Sequence, residues 1–467
     1  MAAASPSPET PDLKKAEIET SQIMKLNDDC LACIFERLQD LHTEMAVSRV
    51  CRRFQSICLT QWRYSHSYNC LDLDEWREIL PNSEDLIYFL QLMRPYIKEL
   101  FVNSCLRTLL KDLSDMKIYV LPMVTCFYYE PEDVDCYPSD KSLLRMAQML
   151  PNLRRLRLTT PIQGRYLSNF RQLQELHLYD DQHKDYELQQ KYLDDLCNQL
   201  VDLRVLDIRM YDSISKLRLD NCVQCLKNLT TLKLNLATLK SVLYEVLELP
   251  SLRQLVVLLD TEWPNQPQVS VDNYDENDCL AYEFYEIMER KAKNIIGFAV
   301  DGYYMPLEPG WNAKLPIWTH KKLQRLAICS WTHSVDHLER YTRMTDLRLL
   351  CLRNCSNLND DFLIKFIESC PRLQFLDVSY CRELTPKFLE RSLQLLKLRE
   401  PRKDRPDLRL TPPLLIYCEL CGFEDFVKSK NLYNSADYRD YIVFADYFPF
   451  SERGLSFVDR GYQFDFD

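Results

Sequence analysis

Glycine is scarce in this chain: 7 residues in 467, far below the usual share of about 7%. Phosphate-cradling loops and folds built on many tight hairpins, both of which lean on glycine, are therefore not expected. An excess of positive charge is also missing. With 58 Lys and Arg against 69 Asp and Glu the net charge is -11, and the pI is near 5.3. A protein that tracks a nucleic-acid backbone needs surplus cations to displace counterions, so no nucleic-acid partner is expected. No apolar run reaches the length of a membrane span, and Met1 to Ser21 lack the apolar stretch of a signal peptide. The expected setting is cytoplasmic and/or nuclear, without a membrane partner. The 7 histidines come with no nucleophile elbow, Walker loop or H-E-x-x-H. His320, His333 and His337 gather near Trp331 without a companion nucleophile. No catalytic residue, no cofactor and no enzymatic activity are expected.

What the chain does have is cysteine and leucine. Its 19 cysteines are odd in number and spread along the whole length, which fits reduced thiols acting as small buried hydrophobes rather than a disulfide framework. Three C-x-x-C pairs occur, Cys30/Cys33, Cys222/Cys225 and Cys418/Cys421. None has a second pair nearby, so no metal is expected. Leucine makes up roughly one residue in six, well above its usual frequency.

After a disordered segment, 1–22, rich in Pro, Ser, Glu and Lys, a helical pattern begins at Leu26-Asn27-Asp28-Asp29. Asn27 is placed to cap, and two acids sit at the positive end of the helix dipole. Leu31, Ile34, Phe35 and Leu38 recur at i, i+3, i+4 and i+7. A second stripe runs through Met45, Val50, Cys51, Phe54 and Ile57 to Trp62. A cluster this small falls below the size at which a core is self-sufficient, so some of its apolar surface is expected to meet a partner.

Beyond Asn82 the form L-x-x-L-x-L recurs. Copies begin at Leu153, Leu173, Leu203, Leu229, Leu252, Leu323, Leu347 and Leu373, with looser ones at Ile97 and Ile295. Most neighbouring copies lie roughly 20 to 30 residues apart, the period of leucine-rich repeats, in which a strand is followed by a helix. Segments 143–150, 192–200, 242–249, 362–367 and 388–396 carry helical periodicity between them. The expected fold class is α/β: a small all-helical module followed by a strand-helix solenoid, each unit completing its core on the next. Cys355 and Cys381 fall in the repeat's Asn/Cys slot. The copy at Ile214 comes too soon and reads as helix; 113–140 and 260–277 break the period.

The text L-N-D-D-C-L-x-x-I-F-x-x-L, then V-C-R-R-F, then Trp62 resembles an F-box. With the repeats behind it, the chain from Met24 to about Gly422 resembles the F-box/leucine-rich-repeat family, substrate receptors of SCF cullin-RING ubiquitin ligases. One departure is Asn27, where the usual start has proline after leucine. The resemblance implies that Leu26, Leu31, Ile34, Phe35, Leu38, Val50, Cys51, Phe54 and Trp62 form the core of, or face, a docking surface for the Skp adaptor. It also implies that ubiquitin transfer belongs to other subunits. The implied domains are 1–22 disordered, 23–64 F-box, 65–95 linker helices, 96–423 leucine-rich-repeat solenoid and 424–467 an acidic, aromatic tail.

In each repeat strand the residues alternating with the buried leucines point to the concave face. Early strands offer charge there and later ones are partly apolar, with Val256, Leu258, Leu349 and Cys351. The expectation is that the aromatic tail covers the later half, Tyr462, Phe464 and Phe466 forming a closing strand. That leaves Arg155, Arg157, His177, Tyr179 and Arg209 for a protein substrate. Two functions compete: a receptor bridging the Skp adaptor and a substrate to promote ubiquitination and proteasomal degradation, or a leucine-rich-repeat scaffold or inhibitor with no role in ubiquitin transfer.

Overall fold

The structure, a computed structural model, describes residues 23–38, 40–131, 138–159, 162–180, 188–210, 217–235, 238–239, 242–258, 294–301, 322–328, 344–355, 358–398 and 413–445. The chain divides into two compact units, Met1–Arg155 and Leu156–Asp467.

The first unit opens with α1 (Asp28–Phe35), α2 (Leu41–Ser48), α3 (Arg52–Tyr64) and α4 (His66–Asn69), followed by β1 (Cys70–Asp72), α5 (Leu73–Ile79) and α6 (Ser83–Met93). It continues with β2 (Glu99–Val102), α7 (Leu106–Asp115), β3 (Cys126–Tyr129) and α8 (Asp140–Met149). Strands β1, β2 and β3 are parallel neighbours, with Leu71, Leu100 and Phe127 side by side and fully buried. Residues 65–95, expected to be linker helices, do hold three helices, but β1 lies among them and is paired, so the ladder begins at Cys70 rather than 96. Segment 113–140 likewise contains β3. Its periodicity was hidden because Val124, Phe127 and Tyr129 stand where other copies carry leucine, and all three are buried.

The division falls after the first residue of β4 (Arg155–Leu158). The second unit continues with β5 (Glu175–Asp180), α9 (Gln190–Gln199), β6 (Val205–Met210), β7 (Thr231–Asn235), α10 (Leu243–Leu247), β8 (Gln254–Leu258), β9 (Gly297–Asp301), β10 (Arg325–Ile328) and β11 (Leu349–Cys351). Then come α11 (Asp360–Ser369), β12 (Phe375–Asp377), α12 (Pro386–Leu398), β13 (Leu414–Tyr417), α13 (Glu424–Ser429), α14 (Ala436–Arg439) and β14 (Ile442–Ala445). Its strands follow one another in chain order. One register row runs Leu176, Leu206, Leu232, Leu255, Phe298, Leu326, Leu350, Leu376, Ile416, Phe444, and every member is buried. This parallel ladder, with a leucine position from each strand turned to one core and helices between strands, is a leucine-rich-repeat fold of the α/β class. The copies at Leu153, Leu173, Leu203, Leu229, Leu252, Ile295, Leu323, Leu347 and Leu373 place their strands in it, the copy at Ile97 gives β2 of the first unit, and the five predicted helices are α8 to α12.

The backbone ladder is regular at its strand starts. The Arg204 carbonyl accepts from the N–H groups of Thr230 (2.8 Å) and Thr231 (3.0 Å), that of Thr230 from Arg253 and Gln254 (2.8 and 3.0 Å), and that of Arg253 from Ile296 and Gly297 (2.8 and 3.1 Å). Each repeat thus satisfies a backbone carbonyl of the one before it. The stretch after Ile214 is neither strand nor long helix: Val223–Cys225 is a 3-10 turn that buries Leu219, Cys222 and Val223 on the helix side of the β6 to β7 repeat.

The turns after β11, β12 and β13 share one device. Asn354, Tyr380 and Leu420 all have positive φ, at 56, 64 and 50°, and each is followed by a buried cysteine, Cys355, Cys381 or Cys421. The Cys381 thiol donates to the Leu352 carbonyl (2.9 Å), and the Cys355 N–H donates to the Cys381 sulfur (3.4 Å). The Cys418/Cys421 pair therefore belongs to repeat architecture: Cys418 follows Ile416 at the third leucine position and Cys421 fills the slot. Gly422 lies against this turn so closely that a Cβ would come within 2.2 Å of the Leu384 carbonyl oxygen.

The tail expected from 424 begins with further repeat structure. Strand β14 pairs with β13, Leu432, Ile442 and Phe444 are buried, and the solenoid extends to Ala445 instead of ending at 423. The strand predicted at Tyr462, Phe464 and Phe466, and the histidines near Trp331, lie outside the described residues. No described helix is long and apolar enough to cross a membrane.

Candidate functional site

In the first unit the residues read as adaptor-facing separate into two sets. Leu31, Phe35, Phe54 and Trp62 are core, with the Phe35 and Phe54 rings edge to face at 5.1 Å. Leu38 and Cys51 are half-buried. Leu26, Ile34 and Val50 are exposed, Ile34 to 41% and Val50 to 67%, and Ile23 and Met24 join them. Helical spacing gives the reason: on α1, Leu31 and Phe35 turn inward, and Cys30, Cys33 and Ile34 make the outer face.

This surface is held in place by specific bonds. The Asn27 side chain accepts from the Cys30 N–H at 2.8 Å and caps α1, satisfying one of the helix's free N-terminal donors. Arg53, from α3, donates through Nε to Asp28 (2.7 Å), through Nη1 to the Met24 carbonyl (2.8 Å) and through Nη2 to the Leu26 carbonyl (2.5 Å). One guanidinium therefore fastens the lead-in 24–26 against the cluster. Gln61 donates to the Ala32 carbonyl at 2.7 Å.

Behind the cluster, α6 supplies the support that three short helices lack. Trp62 meets Phe89 at 5.0 Å, Arg49 reaches Asp85 at 2.5 Å and lies over the Tyr88 ring, and the Ser48 hydroxyl is 3.1 Å from that of Tyr88. The shortage of core inferred from sequence is met on this side from within the chain. Trp62 Nε1–H donates to Glu44 at 2.6 Å; burial pushes the Glu44 carboxyl above its usual range against the lowering effect of that bond. Burial likewise lifts the Cys58 thiol to about 11.

In the second unit the face opposite the leucines carries a register row of His177, Asp207, Lys233, Val256, Ala299, Ala327, Cys351, Asp377 and Tyr417. Alternation puts these side chains where the sequence reading expects them, yet from Asp207 to Tyr417 they are buried. At the start, the Asp207 carboxylate sits 3.3 Å from His177 Nδ1 and 3.6 Å from Lys233 Nζ. Farther on, Asp377 takes the Arg353 guanidinium at 3.2 Å, the Cys351 thiol at 3.5 Å and the Ser379 N–H at 3.0 Å. Burial, with the Asp377 charge, pushes the Tyr417 phenol to about 12. Between these charged ends, Val256, Ala299, Ala327 and Cys351 form an apolar cluster with Leu349 against it.

Of the residues read as substrate-binding, His177 is engaged with buried Asp207, and Arg157 is half-buried in β4. Tyr179 and Arg209 are register partners across β5 and β6, their side chains outside the described residues. Arg155 belongs to the first unit, where it donates to the Tyr128 hydroxyl at 3.4 Å. Ala299 and Ala327 escaped the sequence reading, because alanine in an alternating strand carries no contact signal of its own.

No family model matches the chain, and no curated protein does. Among solved structures the chain is similar to an internalin from Listeria monocytogenes at 12% identity and TM-score 0.33, covering 80% of this chain and 93% of that one. It is also similar to the Rad7 and Elc1 complex in yeast at 17% identity and TM-score 0.40, covering 82% of this chain and 96% of that one. The fold assignment rests on the ladder itself.

Proposed function

We propose that the chain is a non-catalytic substrate-recognition subunit of an SCF-type ubiquitin ligase, docking a Skp adaptor through its helical cluster and a protein substrate through its repeats. The observation that carries this reading is the set of exposed apolar side chains, Ile23, Met24, Leu26, Ile34 and Val50, held on a cluster whose core is Leu31, Phe35, Leu41, Met45, Phe54, Ile57 and Trp62. Fully burying each such side chain is worth roughly 1.5–3 kcal/mol, so a groove that takes several has ample driving force for helix docking. The mechanism is proximity: with adaptor and substrate on one polypeptide, the recruited conjugating enzyme meets target lysines at high effective concentration. The spread of thiols along the chain supports a reducing, cytoplasmic or nuclear setting.

Calorimetry of the full chain against purified Skp adaptor tests the reading. Micromolar or tighter binding is expected for the native chain, with loss of binding and an unchanged melting temperature for Ile34→Glu and Val50→Glu. A native chain that ignores the adaptor, or charged variants that bind as tightly, would overturn it.

A further inference from the structure

The second unit's apolar row poses a packing problem. Val256, Ala299, Ala327 and Cys351 lie on the face opposite the leucines, one per strand from β8 to β11, and all are 0% exposed. The members of this cluster among the described residues are these four and Leu349. Small side chains on adjacent strands roughly 4.8 Å apart leave a shallow trough and cannot shield one another by themselves.

We propose that the chain's own C-terminal segment, 446–467, lies in this trough. Three observations support that occupant over others. The segment follows directly on β14, whose Ala445 continues the same row beside Tyr417. Extended at ~3.3 Å per residue it reaches about 70 Å, whereas crossing from β14 to β8 needs only roughly 30 Å. It carries seven aromatic residues, whose flat rings fill a floor of small residues and each bury about 150–250 Å². This inference stands apart from the adaptor reading. The segment would be an internal competitor for any substrate docking on that face.

Hydrogen exchange on the full chain, and on a chain ending at Ala445, tests it. Removing 446–467 should speed exchange in β8 to β11 at least roughly ten-fold while leaving β1 to β3 unchanged, and a synthetic 446–467 peptide should bind the shortened chain and restore protection. In the full-length chain the combined Phe457→Ala, Phe464→Ala and Phe466→Ala variant should shift the same strands, which keeps the test decisive should the shortened chain fail to fold. Unchanged exchange in that variant, or a peptide that does not bind the shortened chain, would overturn the proposal. So would protection that grows with protein concentration, because a second copy would then be the cover.

Discussion

At the scale of single residues, core and exposed surface lie three positions apart on α1. Leu31 and Ile34 both belong to the stripe that periodicity picks out, yet Leu31 is 0% and Ile34 41% exposed. A charge at Leu31 destroys the cluster core, and lost binding there would report unfolding; a charge at Ile34 is expected to spare stability. Leu31→Ala should therefore cost about 2–5 kcal/mol in chemical denaturation, against less than about 0.5 kcal/mol for Ile34→Ala. Glu44 gives a pH signature. Burial makes its folded carboxyl bind a proton more readily than an ordinary glutamate, at 4.5, so its contribution to stability is fully present below that pH and is lost as pH rises through the raised value. Glu44→Gln, which keeps an acceptor for Trp62, should melt higher than the native chain at pH 7 and lose that advantage near pH 4. An advantage that persists in acid would contradict the assignment. Which stripe residues face outward was not legible in the sequence, because the four-residue spacing of Leu31 and Phe35 and that of Cys30 and Ile34 are equally helical.

Among elements, the repeat strand was legible where the full spacing carries leucine or close substitutes, as at Ile97 and Ile295, and was missed in β1, β3, β13 and β14. β3 uses valine and aromatics, and β13 begins behind Pro413 and ends its pattern in Cys418. β14 keeps only Ile442 and Phe444. Each substitute fills the same buried volume, so the physics of burial is kept while the letter pattern is lost. The left-handed turns offer a sharper test. Leu420 is 54% exposed at φ 50°, a conformation that asparagine tolerates and β-branched residues resist. Leu420→Asn should raise the melting temperature and Leu420→Ile lower it, a difference on the order of 1–2 kcal/mol. At Gly422 the obstacle is backbone rather than torsion, the Leu384 and Arg382 carbonyls both lying within 2.3 Å of an added Cβ. Gly422→Ala is expected to destabilise by about 1–3 kcal/mol, as measured by urea unfolding.

For the molecule as a whole, composition and repeat period were enough to predict the α/β class. From sequence, cover is expected over only the later half of the face opposite the leucines, whereas the row is buried from Asp207 to Tyr417, since burial depends on what lies above a strand and alternation reports only which side a residue takes. The same distinction bears on how the chain tolerates change. Strands β8 and β9 stay in register over five residue pairs although residues 259–296 stand between them, and the Arg253 carbonyl joins them through two successive N–H groups. Adjacent rungs recognise each other without regard to the span of chain that connects them. The connection after Leu258 is thus a place where a passenger domain, such as a fluorescent reporter, could be grafted and the ladder would still close around it.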